Sequence, residues 1–224
     1  MTGHIVAIGG GTLCDGGAAI EELLLQLAGR ARPRICFVPT ASAQRPERVD
    51  EFYGAFGGRD CEPSHLELFG SPDEPAARLA DQDVVYVGGG NTANLLALWR
   101  LHGIDAALRA VWERGGVLGG WSAGANCWFE DSVTDSFGAR LRPLGDGLGL
   151  LPGSFCPHYD GEPQRRVVYT RLVEDGFPAG YAADDDAALV FAGTELQEVV
   201  AQREGARGYR VSAAGEEPLP ARLL

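Results

Sequence analysis

The chain has 224 residues, 45% hydrophobic and 22% charged, and its 31 acidic against 19 basic residues give a net charge of −12. That balance argues against a nucleic-acid partner, whose affinity for protein rests on clustered cations. No apolar run reaches the length of a membrane span.

All 19 basic residues are Arg and none is Lys. A Schiff-base lysine, a Ser–Lys dyad and a P-loop lysine are thereby excluded. The start, Met1-Thr2-Gly3-His4, enters an apolar strand without the basic opening of a signal peptide, so a cytoplasmic location is expected. Cys14, Cys36, Cys61, Cys127 and Cys156 are odd in number and lack a C-x-x-C pair. They fit neither a disulfide framework nor a zinc site.

In chain order, residues 4–8 form an apolar strand ending in Gly9-Gly10-Gly11-Thr12, and 18–27 carry apolar residues at helical spacing. Residues 34–38 are a second strand, stopped by Pro39; 46–56 read as a helix with Pro46 in its first turn. A weaker strand is expected at 66–69 and a short helix at 76–80. The strand 83–87 again ends in glycine, Gly88-Gly89-Gly90-Asn91-Thr92, and helices at 93–101 and 104–114 follow.

The strand Val117-Leu118 then leads into Gly119-Gly120-Trp121-Ser122-Ala123-Gly124-Ala125, with a helix expected from about residue 126 to 129. Residues 131–146 are polar and read as a surface excursion. Residues 154–156 form a short strand before Pro157-His158-Tyr159-Asp160-Gly161, and 162–173 are helical. Apolar strands at 180–183 and 187–191 flank Asp184-Asp185-Asp186, and the Gly193-Thr194 turn points to antiparallel strands near the end. Strands alternating with helices imply a parallel sheet covered on both faces, with ligands gathering at the carboxyl ends of the strands. One domain over residues 1–224 is expected, since no linker or repeat interrupts the pattern.

The chemistry centres on Ser122. A serine between two glycines at a strand-to-helix corner has the form of a nucleophile elbow, where cramped backbone demands small neighbours. The alternative is a serine that only caps the following helix. A nucleophilic serine needs a base. His4, His65 and His102 each sit at the end of a regular element, whereas His158 lies in a turn where its side chain can project over the sheet edge. Two carboxylates could orient His158: Asp135, between Ser122 and His158, and Asp185, within the acidic run. Spacing does not choose between them, although an acid at a strand end is better fixed than one in a surface excursion. The glycine runs do not fit a dinucleotide loop, which needs G-x-G-x-x-G and a ribose-binding acid at set spacing. Close backbone approach to a substrate is the alternative use, with the N–H groups of Gly90 and Ala123 facing a developing oxyanion.

Gly-Gly-Trp-Ser-Ala-Gly-Ala, the upstream Gly-Gly-Gly-Asn-Thr and the downstream Pro-His-Tyr together resemble the peptidase E family of serine peptidases, which includes aspartyl dipeptidase and is related to cyanophycinase. The resemblance implies a flavodoxin-like three-layer α/β/α sandwich of the class I glutamine amidotransferase-like type. It places the nucleophile at Ser122, the histidine at His158 and the oxyanion donors at Gly90 and Ala123. Asp135 matches an aspartate assigned in peptidase E, while Asp185 falls where cyanophycinase-like members carry glutamate; Asp185 is preferred. A carboxylate-binding arginine is implied after the histidine, with Arg165, Arg166 and Arg171 as candidates, although the segment from Asp160 to Arg166 is shorter than in aspartyl dipeptidases. The implied activity is hydrolysis of short peptides, including dipeptides that begin with Asp, without metal or organic cofactor; a homodimer is admitted. An esterase or amidase with the same machinery, and a binding protein without turnover, are the alternatives.

Overall fold

Side chains of the first strand, β1 (His4–Ile8), alternate between two apolar clusters, as the two-residue period of a strand requires. Ile5 and Ala7 face one cluster; Val6 and Ile8 face the other. Both faces of the sheet must therefore be covered. The computed structural model describes residues 2–11, 19–70 and 73–224; Thr12, Cys14 and Ala18 lie outside them.

Along the chain, β1 is followed by α1 (Ala19–Leu27), β2 (Arg34–Val38), α2 (Pro46–Phe56), β3 (Glu62–His65), β4 (Val84–Val87), α3 (Thr92–His102), α4 (Ile104–Glu113) and β5 (Val117–Trp121). Then come α5 (Ala123–Asn126), β6 (Phe129–Thr134), β7 (Arg142–Leu144), β8 (Leu151–Cys156), α6 (Pro163–Glu174), β9 (Gly180–Ala183), β10 (Ala187–Ala192), β11 (Glu195–Ala201), β12 (Gly208–Ser212), β13 (Gly215–Leu219) and β14 (Ala221–Leu223). The main sheet runs β14-β11-β10-β1-β5-β4-β2-β3. Its centre, from β1 to β3, is parallel, and β10 and β11 add antiparallel strands beside β1. On one face α1 and α2 contribute Ile20, Leu24, Phe52 and Phe56; on the other α3 and α4 contribute Leu95, Trp99, Leu108 and Val111. This is the three-layer α/β/α sandwich, mostly parallel with antiparallel C-terminal strands.

Local signals account for the helix ends. The Asn91 side chain accepts the Asn94 N–H at 2.9 Å and caps α3, and Gly103, at φ 68°, ends α3 in the left-handed conformation.

Four expectations need correction. The strand near 66–69 lies earlier, at β3; Leu68 and Phe69 instead donate their N–H groups to the Gln44 side-chain oxygen, so apolar anchoring there belongs to a loop. The 76–80 segment is only a 3-10 turn, Ala77–Leu79. The helix after the elbow is α5, four residues long, and Phe129 already belongs to β6. The excursion at 131–146 contains the end of β6 and all of β7, which join a second sheet ordered β13-β12-β9-β8-β6-β7. One face of that sheet stacks on the first through Phe129, Phe155 and Phe191, and α6 covers the other with Tyr169 and Val173.

Candidate active site

Ser122 stands between β5 and α5 at φ 54° and ψ −114°, a conformation non-glycine residues avoid at a cost of roughly 1–3 kcal/mol. The surroundings impose it. A Cβ on Gly120 would collide with the Gly124 carbonyl, and one on Gly124 with the Val87 carbonyl. The Ser122 N–H is held by the Ile8 carbonyl at 3.1 Å, while its own carbonyl takes the N–H groups of Ala125 and Asn126. Although Ser122 occupies the N-cap position, its side chain makes no capping hydrogen bond. Helix capping therefore does not explain why this residue is serine.

His158 follows β8 at φ 53°, its N–H on the Gly9 carbonyl at 3.3 Å. Its Nδ1 lies 2.7 Å from Asp185 Oδ1, in the turn between β9 and β10. The imidazole hydrogen bond holds the Asp185 carboxyl below its usual range, against the opposing effect of burial. Next along, the Asp186 N–H reaches the Gly10 carbonyl at 2.9 Å. Three successive carbonyls at the exit of β1 thus receive the serine turn, the histidine turn and the acidic turn. Gly10 itself abuts the pair: a Cβ there would lie 2.5 Å from His158 Cε1 and Nδ1 and would overlap Asp185 Oδ1. Gly161 leaves room for the other carboxylate oxygen in the same way. The close approach made by Gly9 and Gly10 is thus to the chain's own acidic and histidine turns.

The acidic run divides its labour. Asp184 is buried, accepts the Arg207 N–H at 2.9 Å and the Tyr209 hydroxyl at 3.3 Å, and burial, reinforced by Asp160, raises its carboxyl to about 6. Asp185 contacts the imidazole. Asp186 pairs with Arg203 Nε at 3.1 Å. Arg203 also donates to the Asp160 carboxylate and, at 2.9 Å, to the Asp185 carbonyl, while Asp160 Oδ1 accepts the Asp185 N–H at 2.8 Å. Arg203 and Asp160 therefore tie the histidine turn to the acidic turn, a role sequence reading did not identify. Asp135 lies apart: it is exposed after β6, 3.9 Å from Arg165 Nη2.

Ser122 and His158 share the wall of a cleft of about 580 Å³ with Gly89, Gly90, Asn91 and Trp121. Gly90 takes φ 140°, and a Cβ there would collide with the Ala41 carbonyl. That carbonyl accepts the Asn91 N–H at 2.8 Å, and Asn91 Nδ2 reaches the Ser136 carbonyl, which fixes the loop. Ala123 begins α5, so its N–H has no acceptor within the helix. Cys127 and Cys156 are fully buried, with burial raising their thiols, that of Cys156 to about 12. Both are inert at neutral pH. Among the described residues no group of His, Cys, Asp and Glu could hold a metal ion.

The three arginines expected to clamp a carboxylate do not line this cleft. Arg165 is buried, its Nε on Glu162 at 2.8 Å and its Nη1 toward the Val133 carbonyl. Arg166 is chelated by Glu216 and lies over the Tyr159 and Tyr209 rings. Arg171 is exposed on α6, 3.9 Å from Asp175. Carboxylates of the chain itself already pair with all three.

A strained serine at a strand-to-helix corner, sharing a cleft with an imidazole that a carboxylate holds through its other nitrogen, is an arrangement found in serine hydrolases. The sequence profile of peptidase family S51 matches residues 5–199. The uncharacterized peptidase YgaJ of Bacillus subtilis (strain 168) is 47% identical over 229 residues, covering 99% of both chains. Peptidase E of Citrobacter koseri is 42% identical over 87 residues, 38% of either chain. In fold, the crystal structure of a peptidase from an acI-B1 Actinobacterium superposes with a TM-score of 0.75 at 20% identity, covering 99% of this chain and 95% of that one. The chain belongs to peptidase family S51 and is a serine-type peptidase. No helix among the described residues is long and apolar enough to cross a membrane.

Proposed function

We propose that the protein hydrolyses short peptides through Ser122, His158 and Asp185, by way of an acyl-enzyme. Ser122 Oγ attacks the scissile carbonyl as His158 Nε2 takes its proton. The Gly90 and Ala123 N–H groups stabilise the oxyanion. Collapse breaks the C–N bond, and the imidazolium returns the proton to the leaving amine. Water then attacks the ester by the same proton path, releasing the acid and restoring the serine. Asp185 holds the tautomer and orientation of His158 and stays ionised throughout.

The observation that carries this reading is the 2.7 Å contact between His158 Nδ1 and Asp185 Oδ1. It leaves Nε2 as the nitrogen available to Ser122. Short peptides, including dipeptides beginning with Asp, are the proposed substrates. Residues 1–224 are read as one domain, because Phe129 and Phe155 of the second sheet pack on Phe191 of the first. A cytoplasmic setting agrees with the unpaired thiols of Cys36, Cys61, Cys127 and Cys156.

A fluorophosphonate probe and a dipeptide panel test the proposal. Labelling at Ser122 and peptide cleavage that both vanish in Ser122→Ala are expected. A folded protein that cleaves peptides without Ser122, or that cleaves only simple esters, would refute it.

A further inference from the structure

The cleft carries a charge pattern opposite to that of the molecule. The chain has a net charge of −12, yet among the described residues the arginines of the cleft wall are Arg45 and Arg48, and no carboxylate lines it. Arg45 is exposed, and among the described residues no acid lies within ion-pair reach of its guanidinium. Arg48, one helical turn further on, is oriented by Glu51 through Nη1 at 2.7 Å, and Glu51 stays outside the cleft. The other polar side chains nearby, Ser42, Asn91 and Asn94, are neutral.

Arg45 is also electrostatically misplaced. It occupies the N-cap of α2, where a side chain normally accepts a backbone N–H, and arginine has no acceptor. The helix N-terminus carries a positive partial charge, so a cation there is unfavourable unless an anion joins it. Glu47 in the first turn does not line the cleft.

The backbone that delivers Arg45 is strained and fixed. Ala43 and Gln44 both adopt φ 55°, two consecutive non-glycine residues in the left-handed region. Their N–H groups are tied to the Thr40 and Pro39 carbonyls at 3.0 and 3.1 Å. The Gln44 side chain accepts the Leu68 N–H at 2.8 Å and donates to the Leu66 carbonyl. Strain of this kind persists where the surroundings over-determine it and marks functional positions. The same segment backs the oxyanion loop, through the Ala41 carbonyl beneath Gly90 and Asn91. The arginine pair is therefore held in fixed relation to the reacting centre.

We propose that Arg45 and Arg48 determine specificity by binding a carboxylate of the peptide substrate. The inference rests on reading the Ser122 cleft as the peptide-hydrolysing site. An acidic side chain and a free C-terminus offer the same chemistry, and the test separates them.

Four peptides of one sequence, with Asp or Asn at the first position and with a free or amidated C-terminus, are compared by kcat/KM. The parent enzyme prefers the charged form in at least one comparison. Arg45→Gln with Arg48→Gln collapses that preference by about 10- to 100-fold, chiefly through KM, as loss of charge-assisted hydrogen bonds requires. Arg45→Lys retains part of it, and Arg222→Gln, on the far edge of the sheet, retains all of it. The comparison that collapses identifies the carboxylate. Calorimetric binding of the same peptides to Ser122→Ala provides a readout independent of turnover. Charge-dependent binding that Arg45→Gln removes supports the subsite even if no peptide is cleaved. Cleavage without charge preference, or an unchanged preference in the folded double variant, overturns the subsite and leaves the catalytic reading intact.

Discussion

Gly10→Ala tests the architecture of the site at a residue with no chemistry of its own. The new Cβ would lie 2.5 Å from His158 Cε1 and Nδ1 and closer still to Asp185 Oδ1. Ordinary contact distance begins near 3.4 Å, so the ring or the carboxylate must retreat by roughly 1 Å. Neither has an easy retreat. Gly161 packs against the other oxygen of Asp185, the Asp185 backbone is bound by Asp160 and Arg203, and the His158 N–H is bound to Gly9. The yielding element is the 2.7 Å contact itself. A misplacement of about 1 Å costs on the order of a hundred-fold in rate, and loss of the orienting carboxylate about ten-thousand-fold. Gly10→Ala should therefore lower kcat/KM by about 10²- to 10⁴-fold, while overpacking costs about 1–3 kcal/mol of stability. Peptide hydrolysis and thermal unfolding, measured together, separate the two effects. Gly58→Ala, where an added Cβ meets nothing within 4 Å, serves as the neutral control. A folded Gly10→Ala enzyme within about three-fold of the parent would refute the claim that β1 frames a catalytic His158–Asp185 pair.

The two candidate carboxylates should separate cleanly. Asp185→Asn is expected to lower kcat by about 10⁴-fold, whereas Asp135→Asn, removing an exposed group 3.9 Å from Arg165, should leave it within a few-fold; equal losses would overturn the assignment. Arg203→Ala should lower kcat about ten-fold with little change in KM, because it loosens the tie to Asp160 and Asp186 without touching substrate, and Arg203→Lys should restore part of the loss. For Asp184 the folded carboxyl is raised from 3.8 to about 6, so between those values the native state binds more protons and stability falls as pH rises. Asp184→Asn should remove that slope, which unfolding midpoints on either side of the window would reveal; an unchanged slope would place its origin elsewhere.

What was readable in the sequence follows from the range over which each constraint acts. The elbow was legible because its demands are largely local: small residues stand at 119–120 and 123–125 around Ser122, and a Cβ on Gly120 would meet the Gly124 carbonyl, as one on Gly124 would meet the Val87 carbonyl of the adjoining strand. The parallel centre of the sheet was legible for the same reason, since β1, β2 and β4 are buried along their length after at most one residue and read as continuous apolar runs. Strand β6 was not, because Ser132 and Thr134 are buried polar residues that erase the apolar signal. The 66–69 segment misled in the opposite sense: Leu66 and Leu68 are buried, but in a loop fastened to Gln44.

Constraints that act between distant turns left only half a signature. Gly9 and Gly10 announced that something approaches closely, yet what approaches arrives from residues 158 and 183–185. Arg203 gave no signal, because its partners, Asp160, Asp185 and Asp186, lie 43, 18 and 17 residues away and meet it only after β9 to β11 have paired. The charge of the cleft is a third case. Arg45 stands in sequence before a helix-starting proline with nothing to mark it, and its proposed meaning comes from the absence of acids, among the described residues, on a wall assembled from five separate segments. The residues proposed to do chemistry, Ser122 and His158, were visible by type and position. Residues that hold them in place became visible only where folding brings the strand ends together, and the sharpest tests of the site accordingly fall on Gly10, Arg203 and Arg45.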